Sequence, residues 1–353
     1  MKRSHKTYGF TILLLLTLLI SPEALSQQSQ MYTHYFFDRF LLNPAACGSN
    51  GYSALGVTVK DQWTGIKETP FVQMLSAQAR VPRTGLFGTR KKRPTGIFSP
   101  ENVGVGLSLY NDVRGYVRTT GARFAYSYHI KTETEQLSFG LALNLFQLFM
   151  DRNKILTEYD DDFINAARLN SLIPDAAAGI YYTTRYLYAG LSASDLFQSY
   201  LALGGSNTSS YRIERQYNLM AGYIFELDRY WSLSPSALVK MTELPVAQMD
   251  VNATLYYDDR IWGGVSYRTG GGGVPGGVNV MFGAAYKQYF FGYAFDYVLS
   301  NIRRYSFGSH EVMLAITFGQ NDRYYQCNFS KIKRKGKAVA CPQISRRWSG
   351  NSY

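Results

Sequence analysis

The chain has 353 residues with 37 Lys and Arg against 25 Asp and Glu, a formal charge of +12, yet only 18% of its residues are charged. One apolar run lies near the N-terminus and no second is long enough to cross a bilayer as a helix, which excludes a helical membrane bundle. The 29 Tyr, 21 Phe and 32 Gly, with a mean hydropathy of −0.18, suit a β protein that interleaves an oily face with a wet one.

In chain order, Lys2, Arg3 and Lys6 come first, followed by an apolar run from Ile12 to Ile20 interrupted only by Thr17. Ala24-Leu25-Ser26 then sets small residues where a signal peptidase reads. That run is about nine residues against the roughly 20 of a spanning helix, and Gln27 is no lipid-accepting cysteine. Residues 1–26 are therefore expected to be a cleaved secretory signal, which makes nucleic acid the wrong partner.

Residues 27–50 form an aromatic lead-in, MYTHYFFDRFLLNPAACGSN from residue 31, in which Pro44 and Gly48 break the chain before the first strand. Its candidate interface or plug residues are Phe36, Phe37, Phe40, Asn43, Pro44 and Gly48. The segment either folds up into a barrel lumen as a plug or packs across the barrel mouth, and the residues leave both open.

From residue 51 to 319 the pattern has period two. GVGLSLY sets Val105, Leu107 and Leu109 against Gly104, Gly106 and Ser108, and LSFGLALNLF sets Leu137, Phe139, Leu141, Leu143 and Leu145 against Ser138, Gly140, Ala142 and Asn144. The spacing predicts fourteen strands, at about 52–60, 70–81, 102–111, 117–130, 136–149, 175–184, 186–194, 216–227, 231–241, 246–257, 260–268, 278–287, 289–298 and 310–319. An even count of segments near the roughly 9 to 11 residues that cross a bilayer at a tilt predicts an all-β, antiparallel outer-membrane barrel. Connection lengths alternate as such a barrel requires: brief at 131, 184, 228, 258 and 287, longer at 151–174, 195–215 and 270–277. Parity puts the brief connections, the basic 82–102 stretch and both chain ends in the periplasm. A soluble sandwich or propeller does not explain that alternation.

Residues 320–353 form a basic tail: Arg323, Lys331, Lys333, Arg334, Lys335, Lys337, Arg346 and Arg347 face a single acid, Asp322. It suits an acidic protein or anionic lipid headgroups, each nearby charge contributing about 1 kcal/mol at a membrane surface. Cys327 and Cys341 are a candidate disulfide that would present KIKRKGK as a loop, leaving Cys47 the odd thiol. No catalytic, cofactor or metal site is predicted. His310-Glu311 lacks the second histidine of a zinc motif because position 314 is Leu, and the Asp160-Asp161-Asp162 run lacks the spaced ligands of a calcium loop.

Three blocks carry a resemblance: FFDRFLLNPAACGSNGY with DQWTGIKETPFVQMLSAQARV, IPDAAAGIYYTTRYLYAGLSASDLFQ, and GSHEVML. In that order they resemble the PorP/SprF family of type IX secretion system outer-membrane proteins, with Ala46-Cys47 a departure from its more usual aromatic and small pair. The resemblance implies a non-enzymatic integral component supporting export or surface attachment of proteins with C-terminal sorting domains, gliding adhesins among them. Its implied partners are periplasmic ring lipoproteins or a secreted sorting-domain protein. The candidate contacts are then the lead-in, Trp63 and Gly65 in QWTGI, and the basic tail. The alternative is a fatty-acid-channel-like transporter of hydrophobic small solutes, which shares the strand count and an N-terminal Asn-Pro-Ala segment.

Overall fold

The computed structural model describes residues 33–35, 37–81, 102–132, 134–150, 171–202, 210–243, 247–270 and 276–318. The expected signal peptide and the basic tail, with Cys327, Cys341, Lys331, Lys333, Arg334, Lys335 and Lys337, lie outside them, as does Phe36.

Fourteen strands make one closed antiparallel barrel: β1 Ser53–Asp61, β2 Phe71–Arg80, β3 Val103–Arg114, β4 Val117–Lys131, β5 Glu135–Met150, β6 Ser171–Thr184, β7 Leu187–Ser194, β8 Gln216–Tyr223, β9 Trp231–Thr242, β10 Ala247–Tyr257, β11 Ile261–Arg268, β12 Gly277–Tyr286, β13 Tyr289–Val298 and β14 Ser309–Phe318. Each strand pairs with its sequence neighbours, and β1 closes on β14 in a register that sets Lys60 opposite Glu311 and Ser53 opposite Phe318. A short hairpin, Tyr200–Ala202 with Ser210–Arg212, decorates the connection from β7 to β8.

Alternation decides which face is which. Along β5 the outward residues Phe139, Leu141 and Leu143 are 43%, 63% and 45% exposed, while Ser138, Ala142 and Asn144 are buried inside. The same inversion runs through β12 and β14, where Val280, Phe282 and Leu314 face out and Asn279, Met281 and Glu311 face in. A continuous band of exposed aliphatic and aromatic side chains over a polar interior is what a bilayer-facing barrel requires.

The two ends differ. One, the turn end, carries the tight connections 132–134, 185–186, 258–260 and 287–288, where Asp258, Asp259 and Lys287 take positive φ. Aromatic residues cluster there: Tyr223 with Phe225 at 4.6 Å and Trp231 with Tyr257 at 4.8 Å, with Arg185 over Tyr186 and Arg229 over Tyr230. Amphipathic rings beside cations match an interfacial girdle. The other, the loop end, carries the longer 62–70, 195–215, 269–276 and 299–308, together with one two-residue turn, Gly115-Tyr116, between β3 and β4.

One boundary moved. β6 begins at Ser171 rather than near 175, so Pro174 lies inside a strand. It is tolerated because β7 pairs only with Ala178–Thr183, so no neighbouring strand calls on the missing N–H on that side, where the Pro174 carbonyl accepts from Ser199 Oγ at 3.0 Å.

Candidate functional site inside the barrel

Residues 33–50 touch the inward face of strand after strand. The stretch starts beside the loop-end residues of β1, β13 and β14 and finishes beside the turn-end residues of β3 and β5, so it traverses the lumen lengthwise before β1 returns along the wall. Its two halves are held differently.

The first half is held by charge and hydrogen bonds. Glu311 Oε2 accepts from Thr33 N at 2.8 Å, and its Oε1 accepts from His34 N at 2.9 Å and lies 2.6 Å from His34 Nδ1. Lys60 Nζ lies 3.3 Å from Glu311 and 2.6 Å from Asp296, and donates to Thr33 Oγ1 at 3.0 Å. All these groups are buried. Buried ions persist only when paired and hydrogen-bonded, and each of these has such partners. Next along the chain, Tyr35 OH accepts from Asn252, and Phe37 packs on Trp262 at 4.6 Å. Arg39 donates to Tyr181 OH at 2.9 Å and stacks 3.6 Å over the Tyr188 ring.

The second half is held by close backbone packing. Asn43 Oδ1 caps the single turn Pro44–Ala46 by accepting from Ala45 N at 2.9 Å. Its Nδ2 donates to two carbonyls of the wall, Ile180 O at 2.9 Å and Leu191 O at 3.3 Å. The wall makes room with glycine: a Cβ at Gly179 would overlap Asn43 Oδ1, and one at Gly140 would overlap Ala45 N and Pro44 C. Arg123 donates to Leu41 O, Ser192 to Leu42 O at 2.8 Å, and Ser127 to Cys47 O at 2.6 Å. Gly48, at φ +63°, turns the chain and donates to Gln78 Oε1 at 3.0 Å.

Cys47 is fully buried between segment and wall, and Gln78 Nε2 donates to Asp38 Oδ1 at 3.1 Å.

Of the residues singled out in the sequence, Phe37, Phe40, Asn43, Pro44 and Gly48 come together in the lumen. At Cys47 the fit is tight: its Sγ would lie 2.7 Å from a Cβ at Gly106, so the wall there is glycine. Trp63 and Gly65 sit elsewhere, at the loop end, where the QWTGI block meets the GSHEVML block. Thr64 N donates to Gly308 O and Phe307 N to Thr64 O, each at 2.8 Å, and Trp63 N donates to Ser309 Oγ at 3.1 Å. The residues missed were Lys60, Asp296 and Glu311. Their signal was present, as charges on the inward register of strands whose outward register is apolar.

The family model described as type IX secretion system membrane protein PorP/SprF matches residues 24–316. The chain belongs to this family. Among solved structures it is similar to the Ralstonia pickettii toluene transporter TbuX at 10% identity, covering 79% of this chain and 92% of that one with a TM-score of 0.45. It is similar also to the Pseudomonas putida toluene transporter TodX, at 9% identity, 83% and 94% coverage and a TM-score of 0.42. A third is the Acinetobacter baumannii outer membrane protein Omp33, at 8%, 76% and 97%, and 0.39. No curated relative matches the sequence. Family and closed barrel together make this an outer-membrane β-barrel of the type IX secretion system.

Proposed function

We propose that the barrel is a non-enzymatic structural component of type IX secretion, whose lumen is kept shut by its own residues 33–50 and whose work is done by its outer surfaces. The turn end and the C-terminal tail would then face the periplasm, where the basic tail and the 82–102 stretch can meet ring lipoproteins or a secreted sorting-domain protein bound for the surface, gliding adhesins included. Thr33, by contrast, starts the lumen segment at the opposite, loop end, against the expectation of a periplasmic start for that segment. The single observation that supports closure is that the segment bonds to walls on several sides, from Glu311 and Asp296 to Tyr181, Arg123 and Asn252.

Transport of hydrophobic solutes is disfavoured by the same geometry. An apolar solute would have to pass Ser, Asn, Gln and charged side chains on the inward face, leaving their polar groups without partners. Affinity purification of the detergent-solubilised full chain tests the choice. Periplasmic and secreted type IX proteins should be enriched several-fold over an unrelated barrel. Their absence, together with reduced hydrophobic-solute uptake in a strain lacking the chain, would support the transporter instead.

A further inference from the structure

At the loop end, the connection 299–308 and the QWTGI loop are tied into one rigid platform. Beyond the paired backbone bonds between Thr64, Phe307 and Gly308, the single turn Asn301–Arg304 is closed by Arg303 N to Ser300 O at 3.2 Å and Tyr305 N to Ile302 O at 2.9 Å. Gly65, at φ +101°, lets the Phe307 ring lie against the loop, since a Cβ there would come within 2.7 Å of that ring.

What the platform displays is unusual for residues so firmly held. Tyr305 is 76% and Phe307 79% exposed, the highest among the large apolar side chains described. Arg303, Arg304 and Lys67 are exposed beside them and form no ion pair among the described residues. The nearest acid in sequence, Glu68, is engaged by the Tyr116 hydroxyl. The platform continues the bilayer-facing band without a break, through Tyr297 at 47% and Leu299 at 44% exposure at the end of β13. Rings at a membrane edge with adjacent guanidinium groups match one environment, the level where acyl chains meet phosphates. Aromatic rings settle at that depth, and arginine's planar fork binds phosphate bidentately.

We infer that this platform, centred on Arg303, Arg304, Tyr305 and Phe307, is a docking surface for phosphate-bearing lipid headgroups, holding specific anionic lipids at the barrel's loop-end rim. The two arginines bind the phosphate, while Phe307 and Tyr305 sit among the first carbons of the acyl chains. It is independent of the secretion reading, because it requires only a barrel in a bilayer.

The test reconstitutes the full chain in nanodiscs of phosphatidylethanolamine with a minority of lipid A, extracts it in detergent, and counts retained lipid A by native mass spectrometry. Heat-modifiable electrophoretic mobility confirms that each variant is folded. Arg303→Ala with Arg304→Ala should lower retention roughly thirtyfold, as expected for losing two headgroup contacts, and Phe307→Ser should lower it several-fold. Arg303→Lys with Arg304→Lys should keep most of it. Equal retention by the double alanine variant would overturn the proposal. So would stripping of the lipid by excess inorganic phosphate, which would mark a simple anion site, or displacement by polyglutamate, which would mark an acidic protein surface.

Discussion

Replacing Gly140 by leucine should drive Pro44–Cys47 off the wall and open the Cys47 thiol to maleimide. The atoms in the way are backbone, Ala45 N and Pro44 C, so no rotamer change relieves the clash. Overpacking of this kind costs about 1–3 kcal/mol even where side chains can give way. At roughly 1.4 kcal/mol per factor of ten, labelling should rise at least about tenfold. Gly263 is the control, because a Cβ there meets nothing closer than 3.8 Å and Gly263→Ala should leave Cys47 as protected as before. Unchanged labelling in Gly140→Leu would mean that the segment does not rest on β5.

Glu311→Ala should release the first half of the segment while leaving the barrel closed. The substitution removes the acceptor of two backbone N–H groups and the partner of His34, and leaves Lys60 to Asp296 alone. Breaking a buried ion pair on one side costs about 3–5 kcal/mol. Hydrogen-exchange protection at residues 33–35 should therefore fall by roughly a hundredfold or more, at about 1.4 kcal/mol per tenfold. The β1–β14 ladder is main chain and its protection should hold. In a double-mutant cycle of Glu311→Ala with Lys60→Met, the double variant should lose less than the sum of the two single losses, because the two side chains share their 3.3 Å contact and both hold Thr33. Additive losses would mean that Lys60 and Glu311 act independently.

These two effects fall on different parts of what the sequence carried. The strands were legible because a bilayer-facing barrel writes itself in period two, as in Leu137 to Leu145, and because connection length alternates between its ends. The start of β6 was not, since Pro174 reads as a breaker until it is known that β7 leaves that part of β6 unpaired. In the lumen, the sequence pointed to aromatics, and Phe37 and Phe40 do pack there. Asn43, Pro44 and Gly48 were named with them, but Glu311, Asp296 and the wall glycines, which also hold the segment, were not. Thr33 and Glu311 are 278 residues apart, and only closure of the barrel brings them together. Glu311 was set aside as half of a zinc motif, whereas its inward register marked it as facing the segment. Gly140 and Gly179 read simply as small members of an alternation, because nothing local says that another backbone crosses there.

The central claim, that the chain serves secretion through its surfaces with the lumen shut, is tested most directly by locking the lumen. Gly106→Cys would bring a Cβ to 2.7 Å from Cys47 Sγ, within reach of a disulfide that pins the segment to β3. With that variant as the cell's sole copy and the bond verified by mass spectrometry, sorting-domain proteins on the cell surface are quantified before and after reduction. The account predicts wild-type surface levels in both states. Display lost on oxidation and regained on reduction would show that cargo or a partner needs the open lumen, contradicting it.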